Sequence, residues 1–151
     1  MATVRGKLVM VDTNVLVSAT NTARPDHLVS HRVFSRALAE GIHLCTCGQI
    51  LREYLVVATR PVSVNGLGLD LDASLRNLSW FRKRLVFFPE TEEVHQALIS
   101  LAGSRGIRGK HLHDGNIAAL MACSSIDHLI TNNPEDFAAF PEITILAPDE
   151  I

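Results

Sequence analysis

Five short apolar runs, Leu8 to Val11, Ile42 to Cys47, Val86 to Phe88, Leu129 to Thr131 and Ile143 to Leu146, alternate with segments whose apolar residues recur at helical spacing. That alternation limits the fold. Strands that take turns with helices build a parallel sheet sandwiched by helix layers, so the expectation is a three-layer α/β/α architecture around a central, mainly parallel five-stranded sheet.

The helices carry their own boundaries. One is expected from about Asp26, behind Pro25, with Val29, Val33 and Ala37 on one face and Gly41 as its stop. A second runs from about Gly48 to Thr59 and ends at Arg60-Pro61. Gly66 and Gly68 mark a loop, after which Asp72 caps a helix that reaches roughly Arg84. Thr91 caps another, with Glu92 and Glu93 in the first turn where the helix dipole favours them, and Gly103 and Gly106 close it. The last starts near His113-Asp114 and ends near Cys123. No repeat or linker divides the 151 residues, which fit one domain spanning 1–151.

Composition narrows the setting. The chain is 47% hydrophobic, ample for a packed core, yet no segment reaches the ~20 apolar residues of a membrane span and no secretory signal opens it. A soluble cytoplasmic protein is expected. Three cysteines, an odd number, argue for reduced thiols. His43, Cys45 and Cys47 alternate along the second strand, and without a second ligand pair they read as a buried strand with small thiols rather than a zinc site. Net charge is −2, so any attraction for nucleic acid has to be local, at Arg82 to Arg84 or at Arg105, Arg108 and Lys110. The first of these clusters reads equally well as a solvated helix end.

Within LVMVDTNVL a carboxylate interrupts an apolar stretch, because Asp12 stands where the first strand ends. Ligands of open parallel sheets bind outside the carboxyl ends of the strands. Glu53 lies one turn into the helix after the second strand, Asp114 opens the last helix, and Asn133 and Asp136 follow the fourth strand. Singly, each could be a cap or a solvated residue. Together they share one end of one sheet. Two carboxylates ~5 Å apart repel by roughly 3 kcal/mol at an effective dielectric of ~20, so such a cluster takes up protons or binds a cation. All-oxygen ligation suits Mg²⁺ or Mn²⁺, and hydrolysis of a phosphodiester uses both the activated water and the charge that such an ion supplies.

Other motifs fail on inspection. HLHD at His111 to Asp114 lacks the spacing and the following His of a dinuclear zinc site, since Gly115 follows. GSRGIRGKH has Ser104 where a phosphate-binding loop requires its first glycine, and His111 where that loop requires Ser or Thr. What remains there is a flexible basic loop beside Asp114, placed to touch substrate phosphates. A haloacid-dehalogenase phosphatase requires a second Asp two residues after Asp12, where Asn14 stands.

VDTNVL, the Glu of REYL, HDGNIAA and TNNPEDF follow one another in the order and spacing of PIN-domain ribonucleases, and the chain most resembles the toxins of VapBC-type toxin-antitoxin pairs. The resemblance spans nearly the whole chain. It implies a PIN-like fold and metal-dependent endonucleolytic cleavage of RNA. Asp12, Glu53 and Asp114 match the metal-site acids, Asn14 the Asn that helps to hold the first Asp, and Thr131 the hydroxyl after the fourth strand. The fourth acidic position falls on Asn133, or on Asn132 with a slip of one, and Asp136 is close enough to compensate. The resemblance also implies an antitoxin that blocks the site with an Arg or Lys, while other surface could build a homodimer. A catalytically silent PIN-like module that grips RNA or protein is the alternative, against which the retained acids argue.

Overall fold

The computed structural model describes Val4 and residues 6–151. Strand β1 (Leu8–Val11) has Val9, Met10 and Val11 fully buried, because it is flanked on both sides and covered on both faces. Strands β2 (His43–Cys47) and β4 (His128–Ile130) pair with it, and β3 (Val86–Phe88) and β5 (Thr144–Leu146) lie outside them. The order is β3-β2-β1-β4-β5 and every pairing is parallel, with Met10 opposite Cys45 on one side and Leu129 on the other. Cys45 and Cys47 are core residues, and burial pushes both thiols up to about 11, whereas His43 is exposed.

Parallel neighbours need crossover connections, and right-handed crossovers fix which face each helix covers. From β1 the chain steps to β2 and then β3 through α1 (Thr13–Thr20), α2 (His27–Glu40), α3 (Gly48–Thr59) and α4 (Leu71–Arg82), which form one layer. It then returns through α5 (Glu92–Arg105) and α6 (His111–Cys123), packed together, to β4 on the far side of β1. The result is the three-layer α/β/α fold. Its direction of winding reverses between β1 and β4, which opens a crevice at the carboxyl ends of those two strands.

Helix α1 was not visible in the sequence pattern. Six of its eight residues are buried, and Val15, Leu16 and Val17 form a contiguous apolar run rather than residues spaced at helical period. Asp12 caps it, accepting a hydrogen bond from the Thr13 backbone N–H at 2.7 Å. Three other helix boundaries differ from expectation, the first being that α5 runs through Gly103 to Arg105 and is ended by Gly106. The cap of α4 is Asp70, which accepts from the Ala73 N–H at 2.7 Å, so that Asp72 falls in the first turn and the helix ends at Arg82. Helix α6 starts at His111, which moves Asp114 from the opening of the helix into its first turn. Among the described residues no helix is long and apolar enough to cross a membrane.

Candidate active site

The crevice holds a cleft of about 520 Å³ lined by Asp12, Glu53, Asp114 and Asp136, together with Thr13, Asn14, Arg24 and Arg60. Four carboxylates from four separate segments line it. Asp12 is delivered by the end of β1 and is only 8% exposed. Besides its cap bond, its other oxygen accepts from the Thr131 hydroxyl at 2.7 Å and from Asn14 Nδ2 at 2.9 Å. Asn14 Oδ1 accepts in turn from the Asn132 backbone N–H, and Thr131 Oγ1 from that of Asn133, both at 3.0 Å. Asp12 is thereby tied to the turn after β4, and Asn14 and Thr131 both touch it.

Burial is the main reason that the Asp12 carboxyl is pushed up to about 6. The hydrogen bonds from Thr131 and Thr13 pull the other way, and the charges of Glu53 and Asp114 add to the rise. No arginine or lysine forms an ion pair with it among the described residues.

Glu53 is oriented by neutral donors on both oxygens, the Thr13 hydroxyl at 2.8 Å and Gln49 Nε2 at 2.7 Å. Gln49 is itself 2% exposed; its amide also donates to His113 O at 2.9 Å, and its Oε1 accepts from Asn116 Nδ2 at 2.7 Å. Asn116 and the Gln49 backbone both reach Glu90. This network joins α3 to α6 beneath the cleft, and the sequence reading missed it. One signal was available, since Gln49 precedes Glu53 by four residues and so shares its helix face. Nothing local announces Asn116 or Thr13, whose partners lie 67 and 40 residues away in the chain.

Asp114 has His111 Nδ1 at 3.7 Å, and its carboxyl is raised by burial first and then by the charges of Asp136 and Glu53. Asp136 sits in the 3-10 turn Pro134–Phe137 and lines the cleft. Asn133 caps that turn from an exposed position outside the cleft lining. Arg108 and Lys110 are not brought to the cleft lining either. Arg84 stacks on Trp80 at 3.7 Å and Arg82 on Phe87 at 4.6 Å, so two members of that cluster are engaged with aromatic rings.

Among the described residues no three His, Cys, Asp or Glu side chains are gathered closely enough to hold an ion between them. The donor set nevertheless suits a hard cation. Mg²⁺ usually keeps several waters and needs only one or two carboxylates, so spaced acids whose oxygens are positioned by neutral hydroxyl and amide donors fit it better than they fit zinc. Like charges around a buried carboxylate that, among the described residues, pairs with no arginine or lysine also favour such an ion.

No protein-family model and no curated protein matches the sequence. Solved structures do match the fold. VapBC2 of Rickettsia felis, bound to a DNA fragment from its promoter, matches with a TM-score of 0.65 at 20% identity, over 93% of this chain and 98% of that one. VapBC-1 of nontypeable Haemophilus influenzae gives 0.67 at 15% identity, over 93% and 98%. VapC20 of Mycobacterium tuberculosis, a toxin that cleaves the sarcin-ricin loop, gives 0.61 at 14% identity, over 80% and 86%. The chain has the PIN-like fold of the VapC-type toxins.

Proposed function

We propose that the protein is a metal-dependent endoribonuclease and the toxin of a toxin-antitoxin pair. The observation that carries this reading is the convergence of Asp12, Glu53, Asp114 and Asp136 on one cleft at the winding reversal of a parallel sheet. Likeness of fold to VapC20, a sarcin-ricin loop cleaving toxin, supports RNA as the substrate, and likeness to VapBC complexes supports an antitoxin as partner. In this reading Asp12, Glu53 and Asp114 hold Mg²⁺ or Mn²⁺. A bound ion of that kind supplies a water that is nucleophilic near neutral pH and positive charge for the phosphate oxygens. Asn14 and Thr131 fix the Asp12 carboxylate, while Thr13 and Gln49 fix that of Glu53, so the acids are oriented before substrate arrives. An antitoxin arginine would pair with the same acids, and a homodimer is part of the proposal.

Highly purified protein should cut single-stranded RNA in Mg²⁺ or Mn²⁺, stop in EDTA and resume when the ion is restored. RNA left intact under all three conditions would sink the reading.

Asp136 and Asn133 separate in this account. Asp136→Asn should raise the metal concentration for half-maximal activity about fivefold, because it removes a charge that Asp114 feels, whereas Asn133→Asp, outside the cleft lining, should change it less than about twofold. A metal titration of the two variants checks this. The opposite ranking would assign the fourth acidic position to Asn133.

A further inference from the structure

The cleft that gathers four carboxylates also has two guanidinium groups in its lining, and they do not neutralise them. Among the described residues neither Arg24 nor Arg60 forms an ion pair. Arg24, in the connection between α1 and α2, donates to Ser18 Oγ at 3.3 Å. Arg60, the C-terminal cap of α3, donates through Nη2 to Asn65 O at 3.0 Å, while its buried Nε has no hydrogen-bond partner. A guanidinium offers five N–H donors in a planar fork, and this pair leaves most of them unused. Such a wall lacks an anion.

We propose that Arg60 and Arg24, the cationic members of the cleft lining, grip backbone phosphates of single-stranded RNA that flank the one being cut, a role that rests on the nuclease reading above. Position along α3 supports the assignment. Arg60 follows Glu53 by seven residues, two helical turns, so the two share a face and lie about 10 Å apart along the axis. One end of the cleft suits a cation and the scissile phosphate. The Arg60 end suits a neighbouring phosphate.

Between the ends, Val57, Val62 and Leu67 contribute apolar lining, with Val62 71% exposed. An apolar shelf between two charged ends fits a nucleotide, whose base is apolar on its faces and whose phosphates flank it. A cleft of about 520 Å³ has the size of a small-ligand site, enough for one unstacked nucleotide of a single strand. The guanidinium is also held in place. Arg60 Nη2 donates to Asn65 O at 3.0 Å, in a loop that is closed onto α3 by the Gly68 N–H to Arg60 O and the Leu67 N–H to Val57 O, both at 2.9 Å. A preset fork is what bidentate phosphate recognition uses.

The test compares wild type with Arg60→Gln, Arg24→Gln and Arg60→Lys on a short fluorescent single-stranded RNA. Cleavage is followed in Mg²⁺, and binding is followed by anisotropy in EDTA. Each Gln variant should raise KM about tenfold with kcat within about twofold, weaken RNA binding in EDTA to a similar degree, and lower the slope of log affinity against log salt by about 0.7. Arg60→Lys should restore part of the affinity, because it keeps the charge and loses the fork. An unchanged melting temperature separates lost contact from lost structure, and Arg24→Gln, on a different loop, reads the phosphate grip independently of the Arg60 tether.

Unchanged KM and unchanged RNA affinity in both Gln variants would overturn the phosphate grip. With a fluorescent acidic peptide run in the same anisotropy format, a loss seen for the peptide and not for RNA would also overturn it and make the arginines a receptor for a protein carboxylate. If wild type binds RNA and Arg60→Gln does not, while neither cleaves it, the phosphate grip stands and the nuclease reading falls.

Discussion

Asp12→Asn should reduce metal-dependent RNA cleavage by roughly a thousandfold and leave a folded protein that, without metal, is more stable than wild type at pH 7. Both effects have one origin. The Asp12 carboxyl titrates at about 6 in the folded chain, against 3.8 for an ordinary aspartate, chiefly because it is buried, with Glu53 and Asp114 adding to the rise. Between those values the folded state binds more protons than the unfolded state, so this group's contribution to stability falls as pH rises. The penalty is absent below about 4 and complete above about 6, where the shift corresponds to roughly 3 kcal/mol at most. Asparagine removes the charge and with it that penalty. The gain is smaller than the full shift because an amide cannot accept from Thr131, Asn14 and Thr13 as a carboxylate does, and about 1 kcal/mol is expected. Asp114→Asn should also abolish cleavage, with a smaller change in stability because Asp114 is less buried. Denaturant melts at pH 4.5 and pH 7.5, in EDTA, read the stability difference, which should shrink at the lower pH. Equal cleavage by wild type and both variants removes the catalytic assignment. A variant less stable than wild type at both pH values removes the electrostatic account.

The fold was legible because its signals are local. Apolar runs, Pro61, Gly41 and the Thr91 cap each act within a few residues, and α3 was read to its ends. Helix α1 was illegible because its apolar residues Val15, Leu16 and Val17 run together instead of recurring at helical spacing, and Asp70 lost to Asp72 as a cap because two acids at i and i+2 are equivalent until one side chain is seen to bond. In the candidate site, Asp12, Glu53, Asp114 and Asp136 could be placed by architecture alone, since each lies just after a strand or in the first two turns of a helix at the same sheet end. Asn133 and Asp136 could not be told apart, because the 3-10 turn that aims Asp136 inward and leaves Asn133 exposed depends on three residues of local geometry. Gln49 and Asn116 act through partners on other segments, and Arg60 reads in sequence only as the end of a helix before a proline.

Gly66→Ala should destabilise the protein by about 2 to 4 kcal/mol and weaken RNA binding, although residue 66 carries no functional group. A Cβ placed there would stand 1.8 Å from the Arg60 carbonyl oxygen and 2.3 Å from its carbonyl carbon. Both are main-chain atoms, so no side chain can rotate away to make room. The loop has to open instead, and it is closed by four backbone hydrogen bonds, from Gly66 N to Pro61 O, Leu67 N to Val57 O, Gly68 N to Arg60 O and Leu69 N to Ala58 O, at 2.9 to 3.0 Å. Any opening also moves Asn65, whose carbonyl holds the Arg60 guanidinium, and so misplaces the cation in the cleft wall. Urea unfolding reads the first effect, and RNA anisotropy in EDTA, at a temperature where the variant is still folded, reads the second. A loss below about 0.5 kcal/mol would mean that the loop yields to a methyl group at little cost. In that case Arg60 is not held rigidly, and its grip on phosphate has to come from charge alone rather than from a preset fork.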